Sequence, residues 1–180
     1  MRSVIVALCY MLLLAGCTSE PPLPPTSPGP YRLDSGDQVR VIVYNEQTLS
    51  TVYTVGDGGV ISFPIIGDVK ARGMTVDEVR KEIFDALNNG ILVNPGVSVE
   101  VSQYRPFYVV GEVAKPGQYP YVSGLNVLTA VAVAGGFTVR ANESRMTVVR
   151  TEQGVANEWS VDRLTVLRPG DVVVVHESSF

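Results

Sequence analysis

Apolar positions alternate with other residues in several short stretches and recur at helical spacing in two. Val39, Val41 and Val43 alternate with Arg40, Ile42 and Tyr44, which predicts a β-strand with one more apolar face. Val52–Val55 and Val60–Phe63 flank the turn signal Asp57-Gly58-Gly59 and predict a hairpin, followed by Pro64 and Ile65-Ile66-Gly67-Asp68-Val69. Thr75-Val76-Asp77-Glu78 has the form of a capping box, in which Thr75 bonds the Glu78 amide and Glu78 reaches back. Val76, Val79, Ile83 and Leu87 follow at helical spacing, so 76–88 reads as an amphipathic helix ended by Asn88-Asn89-Gly90. Val97, Val99 and Val101 alternate with Ser98, Glu100 and Ser102, a strand with one wet face.

A second unit begins near Arg105. Phe107–Val113 is strand-like, and Lys115-Pro116-Gly117-Gln118 is a turn. Val127–Ala134 reads as a short, Ala-rich helix capped by Asn126, stopped by Gly135-Gly136 and small enough in side chain to pack closely on a sheet. Met146–Arg150 and Val172–Val175 are strands, the last apolar on both faces and therefore central or covered. The fold class is α+β. One pattern occurs twice: Leu33-Asp34-Ser35-Gly36-Asp37-Gln38-Val39-Arg40-Val41 and Leu167-Arg168-Pro169-Gly170-Asp171-Val172-Val173-Val174-Val175 share L-x-x-G-D-x-V-x-V. Its physical content is a tight turn leading into a strand, with an Asp able to accept from nearby backbone amides.

The first 30 residues follow neither period. Arg2 supplies a positive start, and Val4 to Leu14 form an apolar run of eleven. As a helix that run rises about 16 Å at roughly 1.5 Å per residue, too short for a bilayer core of about 30 Å, and it fits a signal-peptide core. Leu14-Ala15-Gly16-Cys17 then resembles the lipobox of bacterial lipoproteins, which implies cleavage after Gly16 and a lipid on Cys17. Thr18, not Asp, follows the cysteine; by resemblance to enteric lipoproteins this favours the outer membrane. Residues 20–30, EPPLPPTSPGP, hold six prolines and read as an extended tether excluded from sheet and helix interiors. Residues 18–30 would reach on the order of 40 Å at about 3.1 Å per residue.

Charge narrows the function classes. The 180 residues carry a net charge of −4, and the 14 Lys and Arg are scattered, which gives no electrostatic footprint for nucleic acid. The two cysteines, Cys9 and Cys17, both lie in or beside the apolar leader, leaving the folded part no disulfide or Cys metal site. No catalytic site, metal site or cofactor is expected. His176 has no partner at a recognisable spacing, and Asp57 and Asp68 sit beside glycines where turn geometry accounts for them. Tyr104, Phe107, Tyr108, Tyr119 and Tyr121 are able to stack on sugar rings, but strand-face packing is the simpler expectation for each.

The segments from Tyr31 to Val39, from Val55 to Gly67, from Gly73 to Thr75 with its helix, and from Asn94 to Val99 resemble the export domain of the outer-membrane polysaccharide export family. Val109-Val110-Gly111-Glu112-Val113 with Pro116-Gly117, Ala134-Gly135-Gly136, and Leu167 to Val172 resemble its soluble-ligand-binding β-grasp module. The resemblance implies a signal peptide over 1–16, a lipidated tether over 17–30, an export domain of mixed strands and one helix over 31–104, and a β-grasp domain over 105–180. It further implies a non-enzymatic lipoprotein of the outer membrane with its body in the periplasm. Copies would form a ring, commonly an octamer, that conducts capsular polysaccharide or exopolysaccharide. Its partners would be an inner-membrane co-polymerase paired with a tyrosine kinase. A separate outer-membrane β-barrel is expected as well, since the sequence resembles a short form without the C-terminal membrane helix. Cys17 is the one functional residue carried over. The competing expectation is a monomeric lipoprotein that holds glycan or peptidoglycan.

Overall fold

The computed structural model describes residues 21–23, 29–152 and 154–178. Strand β1 (Gln38–Val43) runs antiparallel between β2 (Thr51–Thr54) and β5 (Val97–Gln103) in a three-stranded sheet. Val39, Val41 and Val43 point to one side and are buried, as the alternation requires. Helix α1 (Val76–Asn88) covers them with Val79, Ile83 and Leu87. Its capping box forms as expected: the Glu78 amide donates to Thr75 Oγ1 at 3.2 Å, and the Thr75 amide donates to Glu78 Oε2 at 2.7 Å. The backbone amide of Thr75, with Arg32 nearby, holds the Glu78 carboxyl below its ordinary pKa.

The expected hairpin between 52–55 and 60–63 does not form. β2 pairs with β1, whereas β3 (Val60–Phe63) pairs with β4 (Gly67–Lys70), closing over Pro64-Ile65-Ile66. The Asp57-Gly58-Gly59 turn exists, with the Gly59 amide on the Gly56 carbonyl at 2.8 Å, but it passes the chain from one sheet to another. The real hairpin turn places Ile65 at φ 71°, a conformation that a β-branched side chain disfavours and no turn preference announces. Ile61 and Phe63 still reach the first core, where Phe63 stacks on Tyr53 at 4.9 Å.

The second sheet has the order β7-β6-β10-β8-β9. Its strands are β6 (Phe107–Gly111), β7 (Gly117–Tyr119), β8 (Ala141–Glu152), β9 (Val155–Val161) and β10 (Val172–Glu177). The four-valine strand β10 is central, parallel to β6 and antiparallel to β8, with Val173 and Val175 buried on one face and Val172 and Val174 half-buried on the other. Gly111 has φ 85° beside Val175, and a Cβ there would lie 2.1 Å from the Val175 carbonyl oxygen. Helix α2 (Val127–Val133) is capped by Asn126 Oδ1, which accepts from the Thr129 amide at 2.9 Å. It packs Val127, Ala130 and Val131 on Phe107, Val109, Met146, Val148, Val173 and Val175 to form a second core.

Two further differences concern edges. β8 is twelve residues long rather than five, and its partner β9 was not anticipated, because VANEWSV keeps four of its first five residues exposed. Pro21–Leu23 of the Pro-rich segment also join the sheet. Pro22 forms a parallel bridge with Ser160; the Ser160 amide donates to the Pro21 carbonyl at 2.9 Å, and the Leu23 amide donates to the Ser160 carbonyl at 3.2 Å. Proline lacks a donor yet still accepts, and Leu23 supplies the one donor an edge contact needs.

Candidate functional site

The twice-used L-x-x-G-D pattern builds the same turn in both halves of the chain. In each, the leucine is buried, the glycine adopts φ 88° or 85°, and the Asp is fully buried. Each Asp closes its own turn: Asp37 Oδ2 accepts from the Asp34 amide at 2.8 Å, and Asp171 Oδ2 accepts from the Arg168 amide at 2.7 Å. A buried carboxylate needs compensating donors and charge. Arg150 supplies them to Asp171 through Nε at 2.8 Å and Nη2 at 2.7 Å. Asp37 is met differently, by the Tyr31 hydroxyl at 2.6 Å, the Arg105 amide at 2.8 Å and Arg105 Nη1 at 3.4 Å.

Arg105 therefore stands between the two turns. Its guanidinium also lies 3.5 Å from Asp34 Oδ2 and donates to the Tyr31 hydroxyl oxygen at 3.0 Å. On its other side, a Cβ built on Gly170 would come within 2.6 Å of Arg105 Nε, so the absent side chain makes room for the arginine. Burial, followed by the hydrogen bond to Asp37, pushes the Tyr31 hydroxyl well above its ordinary pKa of 10.

These groups form one wall of a cleft between the two sheets, of about 640 Å³. Three half-buried tyrosines meet there edge to face. The Tyr31 and Tyr104 rings are 5.0 Å apart at 84°, and the Tyr104 and Tyr121 rings are 5.4 Å apart at 77°. The Tyr121 hydroxyl donates to the Leu167 carbonyl at 3.0 Å, which ties the ring to the second turn, and burial raises its pKa. Arg168, paired with Glu152 at 2.9 Å, and Arg32, paired with Glu78 at 3.1 Å, stand at the cleft rim.

The residues singled out in the sequence fall in several places. Tyr104 and Tyr121 line the cleft, whereas Phe107 is buried and Tyr119 packs against the second core. Tyr108 is partly exposed on β6. Asp57 and Asp68 are exposed, and Asp68 Oδ1 accepts from Ser62 at 2.9 Å. His176 does have partners, drawn from neighbouring strands: Nε2 is 3.0 Å from Thr147 Oγ1 and 4.0 Å from Glu158 Oε1. Cys17 lies outside the described residues. Arg105 and Arg150 were missed. The repeated Asp was the signal that buried cationic partners must exist, but spacing does not say which arginines they are.

Comparison with known proteins bears on the same two halves. Residues 25–102 match the family described as polysaccharide biosynthesis/export protein, and residues 106–159 match the SLBB domain. The chain is 42% identical over 127 residues to the exopolysaccharide production protein ExoF of Rhizobium meliloti (strain 1021), covering 64% of this chain and 30% of that protein. It is 32% identical over 180 residues to the EPS I polysaccharide export outer membrane protein EpsA of Ralstonia solanacearum, covering 81% of this chain and 48% of that one. The polysialic acid transport protein KpsD of Escherichia coli is 28% identical over 108 residues, 59% of this chain and 19% of the relative. The chain thus spans less than half the length of these curated relatives. With both domains matched in order and the relatives consistent between them, the chain belongs to the polysaccharide export protein family.

Proposed function

We propose that this protein is a lipid-anchored component of an exopolysaccharide or capsular polysaccharide export machinery, held at the outer membrane through Cys17 with its body in the periplasm. The observation that carries the reading is the ordered pair of family matches, one on each side of Arg105. The Ralstonia relative is named an outer membrane protein, which supports the location. The separate cores support a division into an export domain over 31–104 and a β-grasp domain over 105–180. Copies of the chain close through heterologous contacts into a ring, an octamer by resemblance, around a lumen for the polymer. An inner-membrane co-polymerase with its kinase feeds the ring, and an outer-membrane barrel completes the route. The protein moves a finished polymer and makes or breaks no bond in it.

Two measurements test this. The mass of the detergent-solubilised protein should be a single large multiple of the chain; one chain per particle in detergent and in liposomes alike refutes the ring. Cys17→Ala should leave the outer-membrane fraction, because stable anchoring needs acyl chains at about 0.8 kcal/mol per buried CH₂. Retention of that variant in the outer membrane at high salt refutes the anchor.

A further inference from the structure

We infer that the cleft between the two sheets is a binding subsite for an uncharged pyranose segment, with Tyr104 as its stacking platform. Naming a saccharide rests on the export reading above; the location and the preference for an uncharged sugar rest on the cleft itself. Its volume of about 640 Å³ falls within the range of small-molecule sites and exceeds the needs of one sugar ring. A pyranose presents an apolar C–H face and a rim of hydroxyls, so its binder needs a rigid aromatic plane and polar atoms around it. Tyr104 lines the cleft and packs edge to face with two neighbours, Tyr31 and Tyr121, which fixes its orientation before any ligand arrives.

The polar rim is the second observation. Tyr104, Ser123 and Thr151 line the same cleft, and no hydrogen bond joins their hydroxyls to another described residue. They offer donors and acceptors to a sugar. The charges decide which sugar. Each cleft arginine already faces a carboxylate: Arg105 with Asp34 and Asp37, Arg150 with Asp171, Arg168 with Glu152, and Arg32 with Glu78. A uronate or phosphate group would meet no unneutralised cation, and Asp34 and Glu152 would repel it. A neutral ring meets neither penalty, and those carboxylates accept from its hydroxyls.

The experiment is calorimetric titration of the purified full chain in a detergent without a sugar headgroup. The probes are neutral gluco- and galacto-configured tetrasaccharides, with tetragalacturonate as the charged counterpart. At least one neutral probe should bind, with affinity nearly independent of salt, and should outbind the uronate at least tenfold. Tyr104→Ala should weaken binding at least tenfold, and Tyr104→Phe should retain most of it. Ser123→Leu puts a bulkier side chain on an exposed residue that lines the cleft, and it should abolish binding while leaving the melting midpoint unchanged. Absence of binding by both neutral probes, preference for the uronate, or binding unmoved by Ser123→Leu overturns the proposal. Particle mass is read on the same samples, so a ring that binds no neutral sugar refutes the cleft subsite alone. A monomer that binds one refutes the ring and leaves the subsite standing.

Discussion

Replacing Arg150 by methionine isolates what the second buried carboxylate requires. The substitution keeps most of the aliphatic stem and removes both guanidinium bonds to Asp171, at 2.8 and 2.7 Å. Asp171 is fully buried and keeps one donor, the Arg168 amide. Breaking a buried pair from one side costs about 3–5 kcal/mol, because the remaining charge stays desolvated. For a chain of this length that lowers the melting midpoint by roughly 6–20 °C, at about 2–4 °C per kcal/mol. Arg105→Met should cost less, about 1–2 kcal/mol, since Asp37 keeps the Tyr31 hydroxyl and two backbone amides. The single tryptophan, Trp159, sits opposite Val148 in the second sheet, so its fluorescence during urea unfolding follows the half that Arg150 supports. The double variant Arg150→Met/Asp171→Asn should recover part of the loss by removing the stranded charge. If Arg150→Met costs under about 1 kcal/mol, or Arg105→Met costs as much as Arg150→Met, the account of the two turns is wrong.

Three further outcomes are expected. Tyr31 has a folded pKa above its unfolded value of 10, so its contribution is complete below about pH 10 and fades as pH rises beyond it. Urea midpoints of the parent should therefore fall above pH 10, with a shallower fall in Tyr31→Phe. Thr75→Ala removes the helix cap and should destabilise by about 1 kcal/mol in urea unfolding, with α1 fraying first in amide exchange. Gly111→Ala forces both a positive φ and a contact with the Val175 carbonyl, so it should lose more than about 1–2 kcal/mol and expose the β6–β10 amides to exchange.

Where local chemistry decides the structure, the sequence was readable. The capping box over Thr75–Glu78, the valine alternation of β1 and β5, and the Asn126 cap all stand where their patterns put them. The four valines of β10 mark a central strand, paired on both edges, with Val173 and Val175 fully buried and Val172 and Val174 half-buried. Pairing was harder, since it is decided by tertiary contacts. Asp57-Gly58-Gly59 is a good turn wherever the next strand goes, and nothing local marks Ile65 for φ 71°. β9 stayed hidden because an edge strand buries little. The cleft is half legible: Tyr104 and Tyr121 stand out as aromatics, and Asp37 and Asp171 as a repeat. Arg105 and Arg150 join them only through the fold, across 68 and 21 residues of chain.

The small pairing of Pro21–Leu23 with Ser160 would decide where a pull on the N-terminal segment first meets the fold. Cys17 precedes Pro21 by four residues, a leash of at most about 14 Å when fully extended. Tension from a lipid at Cys17 would reach the two hydrogen bonds at Ser160 before any other contact among the described residues. From there part of the load would pass into β9, which shares seven paired positions with β8, and the covalent chain would carry the rest to Gly29 and Pro30 at the cleft. Were Cys17 lipidated, the edge strand that buries least would thus be the first element to bear the anchor's pull.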